Sequence, residues 1–109
     1  MPDQELERKL EEMGTRYLKR TLGELTRLGE LLGHLRAGEQ SALKEIEQLA
    51  HKIFGSGAMF GFDNVSTSAR ELELAAQDTQ AADLLDRLSA CIAALEKEAH
   101  DAARARGLE

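Results

Sequence analysis

A chain of 109 residues is sized for one folding unit with a modest core. Its formal net charge of −6 argues against a nucleic-acid surface. No apolar run approaches the roughly 20 residues of a membrane-spanning helix.

Aromatic residues make up only 4 % of the chain and the one proline is Pro2, so the composition favours helices and gives little material for strands. The single cysteine, Cys91, excludes an internal disulfide and a cysteine-only zinc site. It stands among Leu88, Ile92 and Leu95, a core position. The N-terminus is charged and has no signal-peptide pattern, so a cytoplasmic, reducing setting is expected.

Taken in order, residues 3–13 read as a short helix with Leu6, Leu10 and Met13 on one face. Gly14 and Thr15 are the expected break or bend. A longer helix follows over 15–35, with a seam of Leu18, Leu22, Leu25, Leu28, Leu32 and Leu35. Gly29 falls on that seam, which predicts a close helix contact there. Residues 37–40 form a loop, with Gly38 ending the helix. Ser41 is the expected cap of a third helix over 42–60. After a turn at 61–64, Asp63 or Asn64 is placed to cap a fourth helix over 65–77. Its inner face is Val65, Ala69, Leu72 and Ala76. Asp78 and Thr79 make a break. The last helix is predicted over 80–105, with Leu84, Leu85, Leu88, Cys91, Ile92, Leu95, Ala99 and Ala102 as its seam. Four amphipathic helices with short connections define an all-α, antiparallel up-down four-helix bundle, with a short additional helix at the N-terminus.

The third helix contains the stretch Leu49 to Phe62, LAHKIFGSGAMFGF. Three glycines, Gly55, Gly57 and Gly61, fall within seven residues. Each glycine inside a helix costs about 1 kcal/mol relative to alanine, so they need a reason beyond helix formation. A helix advances about 100° per residue, which puts Ile46, Leu49, Ala50, Ile53, Gly57 and Phe60 on one face. His51 lies roughly 200° around from Leu49 and so points outward. Gly55 stands about 40° from His51, one turn later, and leaves the wall beside the imidazole bare. A bulky partner can then approach the ring closely.

The segment HKIFGSGAMFGF, followed by Asp63, Asn64, Val65 and by Ala69-Arg70-Glu71-Leu72-Glu73, resembles the histidine-containing phosphotransfer (HPt) domain. In that family a glycine follows the histidine by four residues and another by ten. His51, Gly55 and Gly61 keep this spacing. The Leu72-Glu73 pair matches a leucine-glutamate pair usual in the following helix. One departure is Phe54, where many members carry a lysine or arginine. The resemblance implies one HPt-like helical bundle over residues 1–109 and a phosphorelay intermediate. His51 would take a phosphoryl group from an aspartate on one receiver domain and pass it to another. It would be no autonomous kinase. The partners implied are receiver domains of response regulators or a hybrid histidine kinase, with neither nucleic acid nor membrane. No cofactor is expected on this chain, since the Mg²⁺ would sit on the receiver. A monomer is expected.

Imidazole suits such a role because it is a good nucleophile when neutral. Lys52 lies about 100° from His51 and Lys44 about 20° off, two turns earlier; either could offset phosphoryl charge. Gln48, one turn back, could donate a hydrogen bond. Phe54 and Ala58 border the same face as a partner-facing apolar rim, and Phe62 either joins them or folds into the bundle. His34 and His100 stand too far along the chain from His51 to suggest a metal site. A histidine-kinase dimerisation helix would usually carry an acidic residue after the histidine and a proline four residues on; here Lys52 and Gly55 stand there. Two alternatives remain open: a bundle of the same shape that binds a receiver or kinase without carrying phosphate, and a structural helical bundle unrelated to signalling.

Overall fold

The computed structural model of the chain describes residues 2–109, with side chains from residue 3 onward. Four helices account for most of it: α1 (Pro2–Arg36), α2 (Ser41–Met59), α3 (Asp63–Gln77) and α4 (Leu84–Ala105). Each helix packs on its neighbour in sequence, and α4 closes the ring against α1. Cross-helix contacts fix the directions. Tyr17 meets Ile53 while Arg27 meets Glu45, so α1 and α2 run antiparallel. His51 faces Glu73 and Phe54 faces Ser66, so α2 and α3 do too. The all-α up-down bundle expected from periodicity is present.

The separate N-terminal helix is not. Residues 2–36 form one continuous helix that passes through Gly14 and Thr15. A single glycine costs a helix only about 1 kcal/mol, too little by itself to end one that continues into the packed bundle. Gly14 is instead a seat. The Arg106 guanidinium, from the C-terminal end of α4, lies where a Cβ on Gly14 would meet its nitrogens at 3.1 Å. Arg106 donates to the Glu11 carbonyl (2.9 Å) and lies over the Phe62 ring, 4.7 Å from its centroid. The register of α1 against α2 leaves the first dozen residues beyond the end of the bundle. Leu6, Leu10 and Met13 are therefore 57, 52 and 45 % exposed, because no helix reaches far enough to cover them.

The core is aliphatic. Leu18, Leu28, Leu31, Ile46, Ile53, Leu72, Leu88 and Leu95 are fully enclosed. Each such side chain contributes roughly 1.5–3 kcal/mol by leaving water. The expected inner face of α3 is buried as read. On α1, Tyr17, Thr21 and Leu31 join the leucine seam. Gly29 is exposed with open space around it, so no helix packs closely there. On α4, Leu85 faces out and Ala103 takes an inner place.

Helix starts also differ slightly from the sequence reading. Ser41 is the first residue of α2 rather than its cap, and Phe62 rather than Asp63 or Asn64 precedes α3. Residues 78–83 form successive turns, so α4 begins at Leu84 and not at residue 80. Asp78 holds Arg87 by an ion pair at 2.9 Å across that turn. Helix ends follow expectation where glycine supplies a left-handed backbone: Gly38 at φ +97° and Gly107 at φ +73°. Gly61, at φ +81°, turns the chain between α2 and α3.

Candidate functional site

The glycine-rich half of α2 is weak as an isolated helix and is held from both sides. Tyr17 on α1 donates its hydroxyl to the Ile53 carbonyl (2.9 Å), and Ser66 on α3 donates to the Phe54 carbonyl (2.8 Å). Both carbonyls belong to the turn that follows His51. Burial raises the Tyr17 phenol above its ordinary pKa, so the group stays a donor. Its ring lies 5.5 Å from both Phe60 and Phe62. Gly57 is buried at this junction, where a Cβ would stand 2.8 Å from the Tyr17 hydroxyl oxygen and 3.3 Å from Ser66 Cβ. Gly57 thus permits close helix packing. Gly55 differs: it is exposed, and a Cβ there would meet nothing within 4 Å.

His51 projects from this braced segment with its side chain 68 % exposed. Its Nδ1 lies 2.6 Å from Glu73 Oε2, on the facing side of α3. The Glu73 side chain is only 6 % exposed. Burial alone would raise its carboxyl, but hydrogen bonds from Arg70 and His51 outweigh that and hold it below the usual carboxylate range. An ionised carboxylate only accepts, so the proton is assigned to Nδ1, which donates to Glu73. In the neutral ring this tautomer leaves the lone pair on Nε2, away from Glu73. Arg70 Nη1 donates to the other carboxylate oxygen, Glu73 Oε1, at 2.7 Å. The Arg70 guanidinium lies 5.3 Å from the centre of the Phe54 ring, and the His51 and Phe54 rings are 6.4 Å apart.

The other residues picked out from the sequence fall around this group unevenly. Lys52 is on the opposite flank of α2, where its Nζ pairs with Glu24 of α1 at 3.1 Å. Lys44 pairs with Glu47 at 2.8 Å. Gln48 is exposed one turn before His51, and Ala58 is exposed beyond Gly55. Phe54 is half-buried against the core, and Phe62 folds into the bundle against Tyr17. Met59, 77 % exposed near the end of α2, was not singled out from the sequence. Neither Glu73 nor Arg70 was given a place at the site. The signals available were the Leu72-Glu73 pair already matched to the family resemblance, and a cation three residues before that carboxylate. That spacing marks a helix-surface pair, but not which helix it faces. Among the described residues no cluster of three or more His, Cys, Asp or Glu side chains could hold a metal ion.

The bundle, with one exposed imidazole held by a buried carboxylate on the next helix, defines a helical module built to present a histidine. The chain matches the family model of the Hpt domain over residues 4–99, and it belongs to that family. Hpt domains are the histidine phosphotransfer modules of two-component phosphorelays and work with receiver domains; they are not autonomous kinases. No curated protein and no solved structure matches the chain. No helix among the described residues is long and apolar enough to cross a membrane.

Proposed function

We propose that this chain is a phosphorelay intermediate whose His51 accepts a phosphoryl group from an aspartyl phosphate on one receiver domain and passes it to the aspartate of another. The observation that carries this reading is the posture of His51. Its Nδ1 is fixed on a buried carboxylate, its Nε2 lies away from that carboxylate on a largely exposed side chain, and the wall beside it at Gly55 is bare. In the accepting step the Nε2 lone pair attacks phosphorus and an N–P bond forms. The bond from phosphorus to the aspartate oxygen breaks, and its electron pair returns to the aspartate carboxylate. Positive charge develops on the imidazole and is met by Glu73, which keeps the Nδ1 proton in a hydrogen bond. Passing the group onward reverses these events on the second receiver. The reaction depends on positioning and electrostatics, so a fixed ring and an open approach are the main contributions this chain can make. The Mg²⁺ and acidic cluster belong to the receiver. The same reading includes a cytoplasmic setting, a monomeric module, and response regulators or a hybrid histidine kinase as partners.

The test is to incubate the protein with phosphorylated receiver domains from its own genome and to measure intact mass. Transfer should add one phosphoryl group that is lost in acid and survives base, and His51→Gln should take up none. The variant should stay folded, losing no more than the worth of the bond to Glu73, about 1.5–3 kcal/mol for a hydrogen bond to a charged group. Labelling retained in His51→Gln, or an acid-stable label, would refute the assignment.

A further inference from the structure

The position three residues after His51 holds Phe54, so α2 places no cation on the flank of His51 that faces α3; Lys52, on the same turn, points to α1. Lys44 and Lys52 each have a carboxylate of their own, on Glu47 and Glu24. A phosphoryl group on His51 would thus sit beside a buried, ionised Glu73 with no positive charge from its own helix to balance the two. The charge comes from the neighbouring helix. Arg70 and His51 bind the two oxygens of the same Glu73 carboxylate, one at 2.7 Å and the other at 2.6 Å. The antiparallel register sets His51 opposite Glu73 and Phe54 opposite Arg70, so the Phe54 ring forms a floor between imidazole and guanidinium. The Arg70 side chain is 44 % exposed, which leaves part of its guanidinium free to meet a group arriving from solvent. Guanidinium is suited to this: its planar fork of donors binds one anion while turning other N–H groups to a second.

We propose that Arg70 is the phosphoryl-facing cation of this domain, supplied across the α2–α3 interface to the place left apolar by Phe54. In the resting protein it neutralises Glu73; after transfer it also faces the phosphoryl oxygens on Nε2. This assignment rests on the phosphorelay reading and is tested so that the two fail separately.

The experiment uses phosphoramidate as phosphodonor on the whole chain. The Nε2 lone pair attacks phosphorus, the donor's P–N bond breaks, and ammonia leaves after taking up a proton. Labelling rate is followed by intact mass, and the phosphoryl group is titrated by ³¹P NMR. Arg70→Gln should label about tenfold more slowly, the size expected from losing one charge-assisted contact. The midpoint of the phosphoryl titration should move to higher pH, because a nearby cation favours the dianion. Arg70→Met, which keeps an aliphatic stem on Phe54, should behave the same way, so loss of packing is not the cause. Arg70→Lys should fall between these and wild type. The effect should persist in a Glu73→Gln background; its disappearance there would reduce Arg70 to a support for Glu73 and overturn the proposal. Wild-type rates and an unshifted ³¹P midpoint in both Arg70→Gln and Arg70→Met would overturn it as well. If the wild-type chain takes no acid-labile label on His51, the phosphorelay reading itself falls.

Discussion

Gly55 and Gly57 stand two residues apart in one helix, and the same substitution should have opposite effects at them. A helix interior gains up to about 1 kcal/mol when glycine becomes alanine, because alanine loses less backbone freedom on folding. At Gly55 nothing opposes the gain, since the added methyl would meet no atom within 4 Å. A domain of this size shifts its melting temperature by about 4 °C or more per kcal/mol, so Gly55→Ala should melt a few degrees higher. At Gly57 the methyl would lie 2.8 Å from the Tyr17 hydroxyl oxygen and 3.4 Å from the Ser66 backbone. Tyr17 cannot give way easily, because its hydroxyl is bonded to the Ile53 carbonyl and its ring is flanked by Phe60 and Phe62. Overpacking of this kind costs about 1–3 kcal/mol, which exceeds the propensity gain. Gly57→Ala should therefore melt lower than wild type. Thermal melts of the two variants by circular dichroism decide the matter. If Gly57→Ala melts as high as Gly55→Ala, the close junction of α1, α2 and α3 is not as described. The functional half of the contrast is read by phosphotransfer from a receiver domain. Gly55→Ala should transfer more slowly despite its higher melting temperature, and Gly55→Leu should be slower again, since a displacement of about 1 Å can cost roughly 100-fold in rate. Wild-type transfer by Gly55→Leu would show that the bare wall beside His51 is not a docking surface.

Three further outcomes are expected. Glu73 has a lowered folded-state pKa, so its ionised form adds stability above its unfolded-state value, near 4.5, and that stability is lost as pH falls through the folded-state value. Glu73→Gln should flatten the acid side of the melting-temperature profile below about pH 4.5; an unchanged slope there would show that the His51–Glu73–Arg70 bonds do not stabilise the fold. Arg106→Ala should leave the four-helix core folded yet raise amide exchange over residues 3–15, since Arg106 ties this part of α1 to the end of α4. Unchanged exchange would mean that α1 holds its course without the tie. Lys52→Ala, which removes a partly exposed pair with Glu24, should change stability by no more than about 1 kcal/mol and labelling less than Arg70→Gln does. A larger labelling loss at Lys52 would return the charge role to α2.

The helical class, the turns at Gly38 and Gly61, and the outward direction of His51 were all legible in the sequence, because each follows from local rules. Apolar residues at helical spacing declare which face is inward. A glycine placed after a helical pattern supplies the left-handed backbone that ends it. A histidine half a turn from the buried stripe must face water. The same rules placed Gly55 beside the ring. The local rules failed wherever the outcome depended on another helix. Gly14 looked like a break because the sequence does not show Arg106 lying across it from more than ninety residues away. Leu6, Leu10 and Met13 looked like a core face because periodicity reports a stripe and not whether a neighbour is long enough to cover it. Gly29 and Gly57 were both placed on inner faces, and only the second meets another helix. At the site, the sequence singled out Lys44 and Lys52 as nearby cations, since angles along one helix are all that a single strand of residues supplies. Register between α2 and α3 decided instead that Glu73 fixes His51 and that Arg70 is the cation nearest to it in the hydrogen-bond network. That register is seen where Gly57 meets Ser66, where Ser66 bonds the Phe54 carbonyl and where His51 meets Glu73. Side-chain volumes summed over two faces determine it, and neither helix carries that information alone.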